Sequence, residues 1–91
     1  LYLGPVILGP QPRKWIKHPS HKSFATKEWL EGRVRYGEWV RDQRNPGTND
    51  VLNFLIYDYL VEHKSTVVIK ITYYRNSHVY VKHVHLRKKR R

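Results

Sequence analysis

Alternation of apolar and polar positions is clearest in the last third of the chain. Val67, Ile69, Ile71 and Tyr73 fall on one side of an extended segment and Thr66, Val68, Lys70, Thr72 and Tyr74 on the other. The β-branched and aromatic content of Thr66 to Tyr74 predicts a strand. Arg75-Asn76-Ser77 reads as a turn and His78 to Leu86 as the return strand of a hairpin. Strict period-two alternation along this second strand puts Val79, Val81, His83 and His85 on one face. His78, Tyr80, Lys82, Val84 and Leu86 then occupy the other.

Upstream the pattern changes. From Val51 to Val61 the apolar residues Leu52, Leu55, Ile56, Tyr59 and Leu60 form a stripe at helical spacing, widened by Phe54, Tyr57 and Val61. Asn45-Pro46-Gly47 is a turn signal before it, with Thr48 or Asn49 placed as a cap and Asp50 in the first turn. This segment is expected to be a mostly buried helix, with His63 and Lys64 at its C-terminal end. Residues 26–44 carry two patterns. Thr26 as cap, Glu28 in the first turn and a face of Trp29, Tyr36 and Val40 beside Leu30 and Val34 fit a helix. Arg33-Val34-Arg35-Tyr36 alternates like a strand, and Gly32 and Gly37 weaken a helix. We expect a helix with a break near one glycine.

Residues 1–23 hold Pro5, Pro10, Pro12 and Pro19, which fix the backbone and remove hydrogen-bond donors. Their apolar residues, Tyr2, Leu3, Val6, Ile7, Leu8 and Trp15, are too many for a solvated linker. The expectation is an extended Pro-rich arm lying in a groove of a neighbour. The whole reads as an α+β chain: an extended arm (1–23), then two helices packed on a C-terminal antiparallel β-hairpin (24–86), then a basic tail (87–91).

Composition sharpens this picture. The 91 residues suit one domain, and the absence of cysteine excludes disulfides and thiolate metal sites. The longest apolar run is interrupted by Asn53 and Asp58, well short of the ~20 residues of a membrane span, so no transmembrane segment is expected. A first residue other than methionine, with none elsewhere, leads us to expect a processed or incomplete chain. The net charge of +11 is unevenly distributed. All seven acids lie in residues 28–62, against four arginines, so that the five bases of residues 1–27 and the nine of residues 63–91 stand without acids.

Acid-free basic ends point to a polyanion, because cations on phosphate release condensed counterions. The candidate RNA contacts are Arg13, Lys14, Trp15, Lys17, His18 and Lys22 in the arm and Arg75 and Lys82 in the hairpin. Arg87, Lys88, Lys89, Arg90 and Arg91 complete the set in the tail. Trp15 among cations suits base stacking, or else anchorage in a protein groove. The histidine pairs His18/His21 and His83/His85 lack the further ligands of a zinc site. No nucleophile–base set or phosphate-cradling glycine loop is present, so neither an enzyme, a small-molecule substrate nor a cofactor is expected. The expected function is a structural component of a ribosome, a mitochondrial one foremost. Its basic ends would neutralise rRNA phosphates and its arm would reach neighbouring proteins. The alternative is an accessory, non-catalytic subunit of a mitochondrial membrane complex such as a respiratory assembly, with the arm on its neighbours and the tail on anionic lipid.

Overall fold

The structure, a computed structural model, describes residues 1–88. Along the chain lie β1 (Val6–Leu8), α1 (Pro10–Lys17), α2 (Lys27–Tyr36), β2 (Val40–Arg41), β3 (Val51–Leu60), β4 (Ser65–Tyr74) and β5 (His78–Lys88). The strands form one five-stranded sheet in the order β1-β5-β4-β3-β2. β1 runs parallel to β5, and the other neighbours are antiparallel. Both helices pack on one face, and the other face is bare of secondary structure. The α+β class therefore holds, but its parts are arranged differently from the expectation.

Val51–Leu60 is a strand, not a helix. It pairs with β4 along its whole length, from Val51↔Tyr74 to Leu60↔Ser65. Its apolar residues fit helical spacing because both faces of this strand are apolar. Leu52, Phe54, Ile56 and Leu60 turn toward the helices, while Val51, Leu55, Tyr57 and Tyr59 share the bare face. The expected cap is instead part of a loop. Gly47 takes φ +85°, where a Cβ would strike the Val51 carbonyl oxygen, and the Val51 N–H donates to Thr48 Oγ1 (3.3 Å). That loop brings the chain from β2 back into β3.

The expected arm is folded into the domain. Val6 and Leu8 pair with Val79 and Val81, and α1 follows at once. Pro10 opens α1 and Pro12 lies in its first turn, where the N–H that proline lacks has no partner within the helix. α1 is placed by Gln11, whose Nε2 donates to the Val84 carbonyl (2.8 Å) while the Val84 N–H donates to its Oε1 (2.9 Å). The side-chain amide thus completes β5 where β1 has ended.

α2 lies where a helix was expected, capped by Thr26 Oγ1, which accepts from the Trp29 N–H (3.0 Å), and ending before Gly37. Ten residues are too few to hold a helix alone in water, so tertiary burial does it. Leu30 and Val34 are fully buried against the sheet, each stabilising by about 1.5–3 kcal/mol. The core they enter contains Leu8, Trp15, Ala25, Ile56, Val67, Ile69, Ile71, Val79, Val81 and Val84.

β5 departs from strict alternation. Ile71 pairs with Val81 but its neighbour Lys70 pairs with His83, so Lys82 is an extra residue in a β-bulge. Val79 and Val81 face the core before the bulge, and Val84 and Leu86 face it after. The assignment of His83 and His85 to the face of Val81 is thereby corrected: one inserted residue exchanges the faces. His78, Tyr80, Lys82, His83, His85 and Arg87 all lie on the bare face.

Candidate nucleic-acid interface

The bare face is built mainly by β3, β4 and β5. Register places Lys70 beside His83, Val68 beside His85 and Thr66 beside Arg87 on β4 and β5. Leu55 and Tyr57 of β3 stand across from Lys70 and Val68. The loop after β2 closes one side with Asp42, Arg44 and Asn45. Asp42, Arg44 and Asn45, with Leu55, Tyr57, Val68, Lys70, Lys82, His85 and Arg87, line a cleft of about 620 Å³. Its walls carry Arg44, Lys70, Lys82 and Arg87.

The polar contacts around the cleft leave its positive charge exposed. Asn53 is buried beneath it, and its Oδ1 accepts from Thr72 Oγ1 (2.6 Å) and from Lys82 Nζ (2.8 Å). Lys82 is thus held by a neutral oxygen and keeps its full charge. The Arg87 guanidinium lies over the Tyr57 ring, 5.4 Å from its centre, a contact that orients the cation without neutralising it. Asp42 is the single acid of the lining, and its Oδ1 accepts from the Arg44 and Asn45 N–H groups (3.1 and 3.3 Å). The one ion pair among the described residues, Arg33–Asp58 (3.3 Å), lies on the helix side.

His83 and His85 touch through their Nδ1 atoms (3.3 Å), so one ring donates to the other, and a proton on both of these atoms would break the contact. Burial lowers the pKa of His85 below 6.5, with the charges of His83, Lys70 and Arg87 acting in the same sense. Its ring favours the neutral form. Among the described residues no three His, Asp or Glu side chains group as a metal site.

The sequence-predicted contacts fall into separate places. Arg13, Lys14 and Lys17 are exposed on the outer side of α1, and His18 and Lys22 are exposed in the loop that follows. Trp15 is 9% exposed within the core, stacked on His21 (3.9 Å between ring centres) and aligned with Trp29. Its expected stacking on a base is corrected: the helix that proline was taken to forbid turns this ring inward. Arg75 sits in the β4–β5 turn, at the opposite end of β5 from Arg87. Lys82 and Arg87 meet in the cleft, and Lys88 is exposed at the end of β5. Lys89, Arg90 and Arg91 lie outside the described residues. Arg44, Tyr57, Lys70, His83 and His85 were not among the predicted contacts. The alternation of Lys70 with apolar neighbours in β4 was a usable signal; Arg44 and Tyr57 required the pairing of β3.

No helix among the described residues is long and apolar enough to cross a membrane. Family models, curated proteins and solved structures contain no match to this chain.

Proposed function

We propose that this chain is a non-catalytic RNA-binding protein that holds a single-stranded segment across the bare face of its sheet. The observation that carries the reading is the cleft: Arg44, Lys70, Lys82 and Arg87 converge with tyrosine and histidine rings, and the one acid there is turned onto backbone amides. Cations supply sequence-independent phosphate affinity, and exposed rings supply stacking for unpaired bases. Tyr57 and Tyr59 are exposed on β3, Tyr74 on β4. The basic outer side of α1 and the edge of β5 extend the positive surface beyond the cleft.

The setting we propose is a ribonucleoprotein, with the mitochondrial ribosome foremost. That setting rests on the basic ends of the sequence, because Tyr2, Val6, Leu8 and Trp15 of the arm expected to reach neighbouring proteins pack into this domain, while Leu3 and Ile7 are exposed. For a subunit draped over a respiratory assembly, the same packing leaves Leu1, Leu3 and Ile7 as the apolar residues of this segment open to a neighbour.

Fluorescence anisotropy with a labelled single-stranded RNA of about one or two dozen nucleotides, a span suited to a groove and its flanks, tests the reading. Binding is expected to exceed that of duplex RNA, and Lys70→Ala with Arg87→Ala is expected to weaken it by roughly tenfold or more. The labelled RNA is expected to remain intact on prolonged incubation. Equal binding of the double variant overturns the interface, and cleavage of the RNA overturns the non-catalytic assignment.

A further inference from the structure

We infer that the cleft beneath the Asp42–Asn45 loop is a discrete phosphate-binding site, in which one phosphate group sits among Lys70, Lys82, Arg87 and His85, the last held by His83. The site itself stands on its own geometry; only the nature of the phosphate carrier rests on the RNA reading above.

Three observations converge. The first is an excess of positive charge: Lys70 from β4, Lys82 and Arg87 from β5 and Arg44 from the loop line one concavity that holds a single carboxylate, Asp42. Like charges gathered in a partly enclosed cleft repel more strongly than on an open surface, so an anion entering it relieves an existing cost. The second is preorganisation. Lys82 is tied to Asn53, Arg87 lies on the Tyr57 ring, and the bulge sends Lys82 and His83 to the same side of β5. Less side-chain freedom is then lost on binding. The third is size, since about 620 Å³ exceeds a phosphate group and leaves room for the attached sugar and base beside Tyr57.

Phosphate binding in this cleft is coupled to protons. The groups facing His85 are Leu55 and Tyr57 from β3, Val68 and Lys70 from β4, His83, Lys82 and Arg87 from β5, and Asp42, Arg44 and Asn45 from the loop. In the empty cleft burial and the cations keep its ring neutral. A phosphate between the same cations offsets their field and favours the protonated ring, which then donates a hydrogen bond to the anion. Affinity therefore rises as the pH is lowered toward 6 and falls as it is raised.

The test is a titration of the whole chain with dimethyl phosphate, a phosphodiester whose single charge is unchanged across this range, followed by amide and histidine-ring NMR shifts, at about pH 5.5 and about pH 7.5 on either side of an ordinary histidine pKa. Shifts are expected at Lys70, His83, His85 and Arg87, with affinity several-fold higher at the lower pH. Arg87→Ala is expected to weaken phosphate binding by about tenfold, the loss of one charge-assisted contact. His85→Gln is expected to flatten the pH dependence while leaving the unfolding midpoint close to that of the parent at neutral pH. An RNA bearing a 5′-phosphate that binds more tightly than its 5′-hydroxyl counterpart assigns the site to a terminal phosphate, and equal affinity assigns it to an internal phosphodiester. Shifts spread evenly over α1 and the sheet, or a His85→Gln profile identical to the parent's, overturn the site. Should phosphate occupy the cleft while RNA fails to compete for it, the RNA reading falls and the phosphate site stands.

Discussion

At the scale of single residues, Asn53 decides the character of the bare face. Its buried carboxamide oxygen on β3 takes a hydroxyl from β4 and an ammonium from β5 at once, so its removal leaves two donors without an acceptor. Asn53→Ala is expected to cost about 2–3 kcal/mol in urea unfolding. Asn53→Asp keeps the acceptor and pairs it with Lys82, and is expected to retain more of that stability while weakening RNA binding, because it neutralises a cation of the cleft. His85 makes the folded state sensitive to acid. Its folded-state pKa lies below the 6.5 of an unperturbed ring. Between the two values the unfolded chain holds a proton that the folded chain does not, so lowering the pH favours unfolding. Stability is expected to be fullest above pH 6.5 and to decline as the pH falls from there toward the lowered value, with a shallower decline in His85→Gln. Urea midpoints measured across that range check the difference.

At the scale of elements, the parts legible in the sequence were those with one clear period and one buried face. β4 alternates, the Arg75–Ser77 turn follows it, and α2 carries a cap with a first-turn acid. β3 was misread because a strand apolar on both faces carries no period-two signal. A stripe at helical spacing can then be drawn through Leu52, Leu55, Ile56, Tyr59 and Leu60. Its content of Val51, Phe54, Ile56, Tyr57 and Tyr59 was the available sign of a strand. α1 was hidden by its prolines, which break a helix in its interior and suit one at its start. Two of the four cations of the candidate site were legible. Lys82 and Arg87 were named from charge alone, whereas the partners that make a cleft of them follow from the pairing of β3 and from the bulge. Gln11 joins two elements through its side chain, so Gln11→Ala leaves the Val84 N–H and carbonyl unpaired on the edge of β5. The variant is expected to lose about 1–2 kcal/mol. Hydrogen exchange at the Val84 amide is expected to quicken more than at Ile69, which lies in the centre of the sheet.

At the scale of the whole molecule, a layer of helices leaves one sheet face to solvent, and the cations of the cleft collect on that face. Four cations of the cleft acting on a single strand predict a dependence of log affinity on log salt with a slope of about −3. Anisotropy titrations at several salt concentrations measure it, and a slope near zero points to an apolar interface. The pairing of β1 with β5 bears on how the chain acquires its shape. The first strand of the sheet in chain order has the last as its neighbour, with three strands and two helices in between. Until His78 onward has emerged, Val6, Leu8 and Trp15 have no completed sheet to pack against, so the closing step of folding joins β1 to β5. Such long-range closure slows folding. A nascent chain halted before β5 leaves its N-terminal segment apolar and unpaired, a natural target for a chaperone.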